Sequence, residues 1–303
     1  MLPLILELVA VLSLMLISAE LLSRGVEDLE GSVGQGIAGG VILGNLTALP
    51  ETLIVVVAVL EHKGNIALGS AIGGNVVLFT LGLGLISIVY FSKWRKHLQM
   101  KGDYRHELYV IGIASLIIVG SIGLGNLNPG FSVLLFLLYL YYLLKRAKAG
   151  TKSRLDLKSI IEVVVGGAVI VALAPLFVGL IEALSLSLGI SQTWVSLAVT
   201  PVVAELEEGI SAIRLAIRYQ GGGSTAVVSY FGSKIQNVTI LLGLVGLDFV
   251  NTRGPYILLA LISNLIGIFV IRDGKLTVVE GIILSLLYFL FLYIAFIFQN
   301  SAI

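Results

Sequence analysis

The stretch RAKAGTKSRLDLKS, from Arg146 to Ser159, is the longest polar connection in the chain and separates two groups of apolar runs. Of the 303 residues, 57% are hydrophobic and only 12% are charged. This excludes an ordinary soluble domain, in which charged residues make up about a quarter of the chain. Apolar runs of about 20 residues on both sides of the polar stretch are long enough to cross a bilayer. The composition therefore predicts an integral membrane protein.

Five apolar runs precede this connection and five follow it, and we interpret all ten as transmembrane helices of an all-α fold. Because the first run has no basic residue before it and no small-residue cleavage site after it, we expect it to be retained rather than removed as a signal peptide. The predicted spans are approximately 1–22, 34–60, 64–90, 106–124, 129–146, 158–187, 191–218, 224–247, 254–271 and 276–298.

The lysine and arginine residues support this division, because loops on the cytoplasmic side of a membrane carry the excess of both. The odd-numbered loops hold 16 of the 19 basic residues, and the even-numbered loops hold only Lys63 and Arg253. Lys234 is left inside the eighth span. A missed or invented span would move every later loop to the opposite side. We therefore expect a multi-pass protein of the cell membrane with cytoplasmic basic loops and both termini outside.

The division into five and five predicts an inverted repeat. Since five is odd, two related halves must have opposite orientations, as in many secondary transporters. The first repeat covers residues 1–146 with a conspicuous motif at 44–80, and the second covers residues 158–303 with a motif at 200–243. Residues 147–157 form the predicted cytoplasmic linker.

The two halves repeat a set of unusual residues at similar offsets. Span two contains Pro50 and Glu51, and span seven contains Pro201 and Glu208. Small residues follow in spans three and eight, and the spacing of Gly69 and others like it predicts close helix crossings. We expect these polar segments to meet near the bilayer midplane.

Four glutamates lie within about two turns of the predicted midplane, where a carboxylate costs roughly 2.5–3.5 kcal/mol. The four together cost about 10–14 kcal/mol, and nothing structural requires them. We therefore interpret them as functional; they are Glu51, Glu205, Glu207 and Glu208.

Helical spacing assigns these acids to faces. Thr47 precedes Glu51 by four residues, and Glu205 precedes Glu208 by three, so each pair can line one cavity. Glu207 lies well round the helix from Glu205 and is the weaker candidate.

Oxygen atoms near the glutamates suit a hard cation such as Ca2+, which takes six to eight oxygen ligands. Pro50 and Pro201 each free the carbonyl four residues earlier, at Leu46 and Leu197. Further side chains with amide or hydroxyl groups are candidate ligands, namely Asn45, Asn75, Ser233, Gln236 and Asn237.

Lys234 is a basic residue within this polar region. It either neutralises Glu207 in a structural ion pair or takes the place of one monovalent cation at the site. The sequence leaves both alternatives open.

Two stretches of sequence resemble the α-repeats of the cation/Ca2+ antiporter superfamily. TALPETLIV (47–55), followed by GNIALGSAIGGN (64–75), is similar to the first α-repeat, with Gly73 placed 22 residues after Glu51. PVVAELEEGISAI (201–213), with GSKIQN (232–237), looks like the second α-repeat and is closer to that of the proton-coupled branch.

This resemblance implies Ca2+ binding between Glu51 and Glu208, with alternating access and H+ or Na+ as the counter-ion. Glu205 takes the family's asparagine position and Gln236 its glutamine position. Leu78 stands where the Na+-coupled branch has an acid or amide, and no proline directly precedes Glu208. We therefore expect Ca2+/H+ antiport, with Na+/Ca2+ exchange as the alternative.

Other classes of function remain as alternatives. A membrane hydrolase needs a nucleophile with a base, yet the chain has no Cys and its three His lie in or beside loops. A cation channel, or a transporter of another divalent or organic ion, also fits a polar midplane. We expect membrane lipid and inorganic cations as partners, with no nucleic acid, no resident cofactor and no enzymatic activity.

Overall fold

The computed structural model describes residues 1–33, 49–101, 104–146 and 157–299, and this part of the chain is mostly helical. The candidate ligands Asn45, Leu46 and Thr47 lie outside the described residues. The helices are α1 Leu2–Val33, α2 Leu49–Leu60, α3 Gly64–Val77, α4 Leu83–Trp94, α5 Arg105–Leu124, α6 Pro129–Arg146, α7 Leu157–Leu188, α8 Gln192–Ala204, α9 Leu206–Arg218, α10 Gly222–Gln236, α11 Leu242–Gly246, α12 Pro255–Ile271 and α13 Val278–Ile297.

The helix ends lie close to the predicted span ends in most of the described chain. Five helical stretches are long and apolar enough to cross a membrane, and four shorter apolar helices accompany them in the same described residues. The first helix is longer than predicted, because α1 continues to Val33 instead of ending near residue 22. In the added part of the helix, Gly25 lets α1 approach the Ser159 carbonyl of α7 closely.

Spans three and eight each contain a π-helical turn at the corresponding place. Leu78–Gly82 joins α3 to α4, and Asn237–Leu241 joins α10 to α11. Each turn begins five residues after the glycines that the sequence pairs, Gly73 and Gly232. Such turns widen a helix locally and occur frequently at functional sites.

Two short antiparallel strand pairs hold the ends of the bundle. Leu98–Gln99 (β1), after α4, pairs with Lys275–Leu276 (β4), after α12. Asn126–Leu127 (β2), after α5, pairs with Val250–Asn251 (β3), after α11. The first pair joins two of the predicted odd-numbered loops, and the second joins two even-numbered loops. If successive spans run up and down, all odd-numbered loops lie at one end of the bundle and all even-numbered loops at the other. Each strand pair therefore connects two loops at the same end.

Close packing between α3 and α8 brings the two motif-bearing segments together. A Cβ at Gly69 would overlap the Thr193 carbonyl, and one at Gly73 would lie 2.6 Å from the Leu197 carbonyl. Only glycine allows the backbones to approach this closely, as the spacing of small residues predicts. This crossing places α2 and the break between α8 and α9 beside α10.

A capping box begins α13 and gives a stability prediction. The Thr277 hydroxyl accepts from the Glu280 amide at 3.3 Å, and the Glu280 carboxylate accepts from the Thr277 amide at 2.7 Å. We expect Thr277→Ala to lower the free energy of unfolding by about 1 kcal/mol. Thermal unfolding in detergent should show a midpoint about 2–4 °C lower. Ser187→Ala is the control, because that hydroxyl is exposed and bonds only within its own helix; equal midpoints for the two variants would contradict the prediction.

Candidate functional site

Three carboxyl groups from separate segments meet inside the bundle. Glu51 lies in the first turn of α2, Glu205 lies at the break between α8 and α9, and Glu208 lies in the first turn of α9. Glu205 neighbours Glu51 on one side and Glu208 on the other. Glu51 is 2% exposed and Glu205 is 7% exposed. The structure thus brings together three of the four glutamates that the sequence indicates, as a row with Glu205 in the middle.

The break in span seven places Glu205. Pro201 lies inside α8, and the backbone leaves the helical path at Glu205, whose φ is −111° and ψ is −11°. The C-terminal end of α8 and the N-terminal end of α9 therefore both point at this position. Their partial charges stabilise a cation and a carboxylate respectively, which is the arrangement of broken helices at ion sites in transporters.

Two side chains of span eight donate hydrogen bonds to this row. The Asn237 amide donates to Glu205 Oε1 at 3.1 Å, and the Ser233 hydroxyl donates to Glu208 Oε1 at 2.7 Å. Two of the candidate ligands in span eight therefore contact the acids. Gln236 is also buried, with 3% of its surface exposed.

Two acceptor atoms in the row have no hydrogen-bond partner among the described residues. They are Glu51 Oε1 and Asn237 Oδ1, and both are buried. A buried acceptor without a donor is costly. A proton or a cation at either oxygen would satisfy that atom, so these groups are suited to binding both.

Gly74 forms the surface on which the carboxylates converge. A Cβ at this position would lie within 2.8 Å of Glu51 Oε1, Glu205 Oε1 and Asn237 Nδ2. The absence of a side chain on residue 74 therefore leaves the space that these polar atoms share. Among the described residues, no group of three or more His, Asp or Glu side chains is arranged so that it could hold a metal ion by itself.

Lys234 and Asn75 form a second polar cluster beside the row. The Lys234 ammonium contacts the Asn75 carbonyl, Asn75 Oδ1 at 2.6 Å and Ser263 Oγ at 2.7 Å. Asn75 is thus turned to the lysine and does not bond to the three carboxyls. The ion pair between Lys234 and Glu207, one of the two sequence alternatives, does not form.

Glu207 and Leu197 occupy the edges of the site. Ser23 of α1 donates a hydrogen bond to Glu207 Oε1 at 2.8 Å, so Glu207 faces away from Glu51, as its position on the helix indicates. The Leu197 carbonyl, which Pro201 leaves without its helical donor, lies against Gly73.

A cavity of about 210 Å³ borders Glu205. It lies between the π-helical turn of span three, α9 and α10, and is lined mainly by apolar side chains such as Leu81 and Ile213. Tyr230 borders it, with its ring against Gly82. Most of the lining residues lie after Val77 in span three or after Glu205 in α9, so most of the cavity lies on the side of Glu205 toward the β1–β4 end.

The other side of the row is closed by the crossing of α3 and α8. Three buried hydroxyls hydrogen-bond to one another there: Ser70 lies 2.9 Å from Ser196 and 3.0 Å from Thr200. The sequence patterns did not indicate these hydroxyl residues, Tyr230 or Ser263 as site residues, and they marked Gly74 only as a small residue of span three. Serine and glycine are common between membrane helices for packing alone, so the printed sequence contains no signal that separates these positions from the others.

Comparison with known proteins matches nearly the whole chain to one protein family. The family model described as sodium/calcium exchanger protein matches residues 4–147 and 158–297. The uncharacterized membrane protein MJ0091 of Methanocaldococcus jannaschii is 26% identical over 213 residues, which are 68% of each chain.

Two solved structures have a similar fold. The H+/Ca2+ exchanger CAX superposes with a TM-score of 0.77 and 17% identity over 99% of this chain and 87% of its own. The sodium-calcium exchanger NCX_Mj superposes with a TM-score of 0.64 and 21% identity over 96% of this chain and 98% of its own.

Proposed function

Because the chain belongs to the sodium/calcium exchanger protein family, we propose that it is an antiporter that moves Ca2+ across the cell membrane in exchange for H+. Membership makes it a membrane transporter of inorganic cations and not an enzyme. The proposal includes ten spans in two inverted repeats, with the basic loops in the cytoplasm and both termini outside.

The row of Glu51, Glu205 and Glu208, of which the first two are buried and the third is partly buried, is the observation that carries the proposal. Three ionised carboxylates cannot share a low-dielectric space without a counter-charge, since each already costs several kcal/mol on its own. A bound Ca2+ supplies that charge, and so do protons on the carboxyls. Oxygen atoms of Asn237 and Ser233 add neutral ligands of the type that Ca2+ prefers.

Antiport follows from competition for this row. Ca2+ favours the ionised carboxylates, and protonation removes the negative charge that holds Ca2+. The Ca2+-bound row and the protonated row therefore exclude each other. In both, the negative charge of the carboxylates is compensated, so the helices can rearrange around the site. The row has its highest energy when it is ionised and holds no ion. This energy opposes a change from one access state to the other without a bound Ca2+ or proton.

The two sides of the carboxyl row differ, and this difference indicates which access state the structure represents. The cavity beside Tyr230 lies toward the β1–β4 end, which carries the basic loops, while the α3–α8 crossing closes the other side. We assign this arrangement to the state that is open to the cytoplasm. In the other state the crossing of α3 and α8 separates and the walls of the cavity close.

Protons are favoured over Na+ as counter-ions by the chemistry of the row. Carboxyl groups dominate it, and the apolar Leu78 occupies the position at which an additional polar ligand would serve Na+. The likeness to the sodium-calcium exchanger NCX_Mj is the argument for the alternative counter-ion.

Flux measurements in proteoliposomes test the counter-ion. We expect uptake of 45Ca2+ to be driven by an outward H+ gradient across the vesicle membrane at constant Na+, and to be abolished by a protonophore. An outward Na+ gradient at constant pH is expected to drive none. Uptake that follows only the Na+ gradient supports the alternative. A conductance that needs neither gradient contradicts antiport and favours a channel.

A further inference from the structure

The position of Lys234 is unusual for a charged side chain. It is 0% exposed, although a buried charge requires compensation by other groups. No carboxylate of the described residues contacts its ammonium group. Compensation comes instead from neutral groups that also bind metal cations: a backbone carbonyl, an amide oxygen, a hydroxyl and the face of an aromatic ring.

The contacts around the ammonium resemble a monovalent-cation site. Asn75 supplies two oxygens, Oδ1 at 2.6 Å and its carbonyl, and Ser263 supplies Oγ at 2.7 Å. The ring centroid of Phe79 lies 4.4 Å from Nζ, a geometry that attracts a cation electrostatically. A hydrophobic residue of the same size would leave the Asn75 oxygens unsatisfied.

The ammonium is also close enough to act on the carboxyl row. Lys234 lies next to Ser233 in α10, whose hydroxyl donates to Glu208 Oε1. The ammonium contacts Asn75, the residue after Gly74, and Glu51 and Glu205 converge on Gly74. One positive charge beside three carboxylates leaves two negative charges. One Ca2+ balances two negative charges, and so do two protons.

We propose that the Lys234 ammonium is a tethered cation that permanently fills a monovalent-cation position beside the carboxyl row. It thereby sets the exchange at one divalent cation for two monovalent charges, without a third, mobile ion. This inference deepens the proposed function and rests on it for the identity of the exchanged ions, but the occupied cation position is a property of the described contacts themselves.

Three substitutions test the proposal through the thermal unfolding midpoint in detergent. Lys234→Ala vacates the position and leaves its oxygen ligands. Lys234→Ser vacates it and adds a hydroxyl. Lys234→Met, the matched control, fills the space without charge. Each protein is measured in choline chloride, NaCl and methylammonium chloride at equal ionic strength.

We expect the midpoints of the wild type and of Lys234→Met to be equal in the three salts. The Ala and Ser variants should gain about 3 °C or more in NaCl or methylammonium chloride, because an ion that binds only the folded state stabilises it. Equal midpoints of these variants in all three salts overturn the proposal. So does failure to recover either variant from membranes in any of the salts, since added ions should fill a vacant cation position.

The readout does not require Ca2+ flux. If the wild type exchanges no Ca2+ for H+ but the Ala variant gains stability in Na+ or methylammonium, the proposed function fails and the tethered cation stands. If the wild type exchanges Ca2+ normally and neither variant responds to added ions, only the tethered cation fails.

Discussion

Calcium uptake by proteoliposomes is expected to fall at least about 100-fold when Glu51 is replaced by Gln. Glu51 is 2% exposed, and its Oε1 has no hydrogen-bond partner among the described residues. Glutamine keeps the shape but removes one of the negative charges on which a divalent cation depends. Removing one partner of a buried charge interaction costs about 3–5 kcal/mol, and every 1.4 kcal/mol changes the affinity tenfold.

The substitution should weaken Ca2+ binding without lowering the stability of the fold. Glutamine relieves repulsion between Glu51 and Glu205, so the unfolding midpoint of the variant without Ca2+ should not be lower than that of the wild type. Stabilisation of the wild type by added Ca2+ should disappear in the variant. Wild-type uptake by Glu51→Gln would remove Glu51 from the site.

Glu207→Gln is the matched control for this experiment, because it makes the same chemical change one residue away from Glu208. Glu207 accepts a hydrogen bond from Ser23 of α1 and faces away from Glu51. We expect this variant to keep most of the Ca2+ uptake, while Glu208→Gln loses it. If both variants lost uptake equally, the assignment of faces around α9 would be wrong.

Gly74→Ala is expected to remove Ca2+ binding while the protein stays folded. The added methyl group would lie within 2.8 Å of Glu51 Oε1, Glu205 Oε1 and Asn237 Nδ2. These atoms are the ends of flexible side chains, so they can move apart at small cost to the fold. That movement separates the oxygens that converge on the ion, and we expect Ca2+ uptake to decrease at least about 10-fold, the equivalent of 1.4 kcal/mol.

Two other glycines make this prediction specific. A Cβ at Gly112 would meet no atom within 4 Å, so Gly112→Ala should retain wild-type uptake. A Cβ at Gly73 would lie 2.6 Å from the Leu197 carbonyl, which belongs to the backbone and cannot rotate away. Gly73→Ala should therefore lower the unfolding midpoint. Full uptake by Gly74→Ala would show that the ion binds away from this point.

Local properties of the chain were sufficient to predict most helix ends and to select the glutamates that lie together in the structure. Apolar length and the positions of basic residues depend on nearest neighbours in sequence and on the bilayer, so they can be read without knowing the packing. The same holds for Glu51, Glu205 and Glu208, because a carboxylate in an apolar run is costly in any arrangement of the helices.

The partners of neighbouring residues could not be predicted in this way. Gly73, Gly74 and Asn75 follow one another in α3, yet Gly73 meets α8, Gly74 meets the carboxyl row and Asn75 meets Lys234. Successive residues of a helix point about 100° apart, so the rotation of α3 decides which residue faces the ion. That rotation depends on how α3 packs against α8, α10 and α12.

The sequence by itself determined that this protein is a helical membrane protein with glutamates inside its apolar runs, because hydropathy, charge and spacing act locally. Only the tertiary structure decided that Glu205 lies between Glu51 and Glu208, that Gly74 provides their common space, and that Lys234 binds neutral oxygens instead of Glu207. The physical reason is that these relations join residues from different helices, and packing alone sets the depth and rotation of one helix against another.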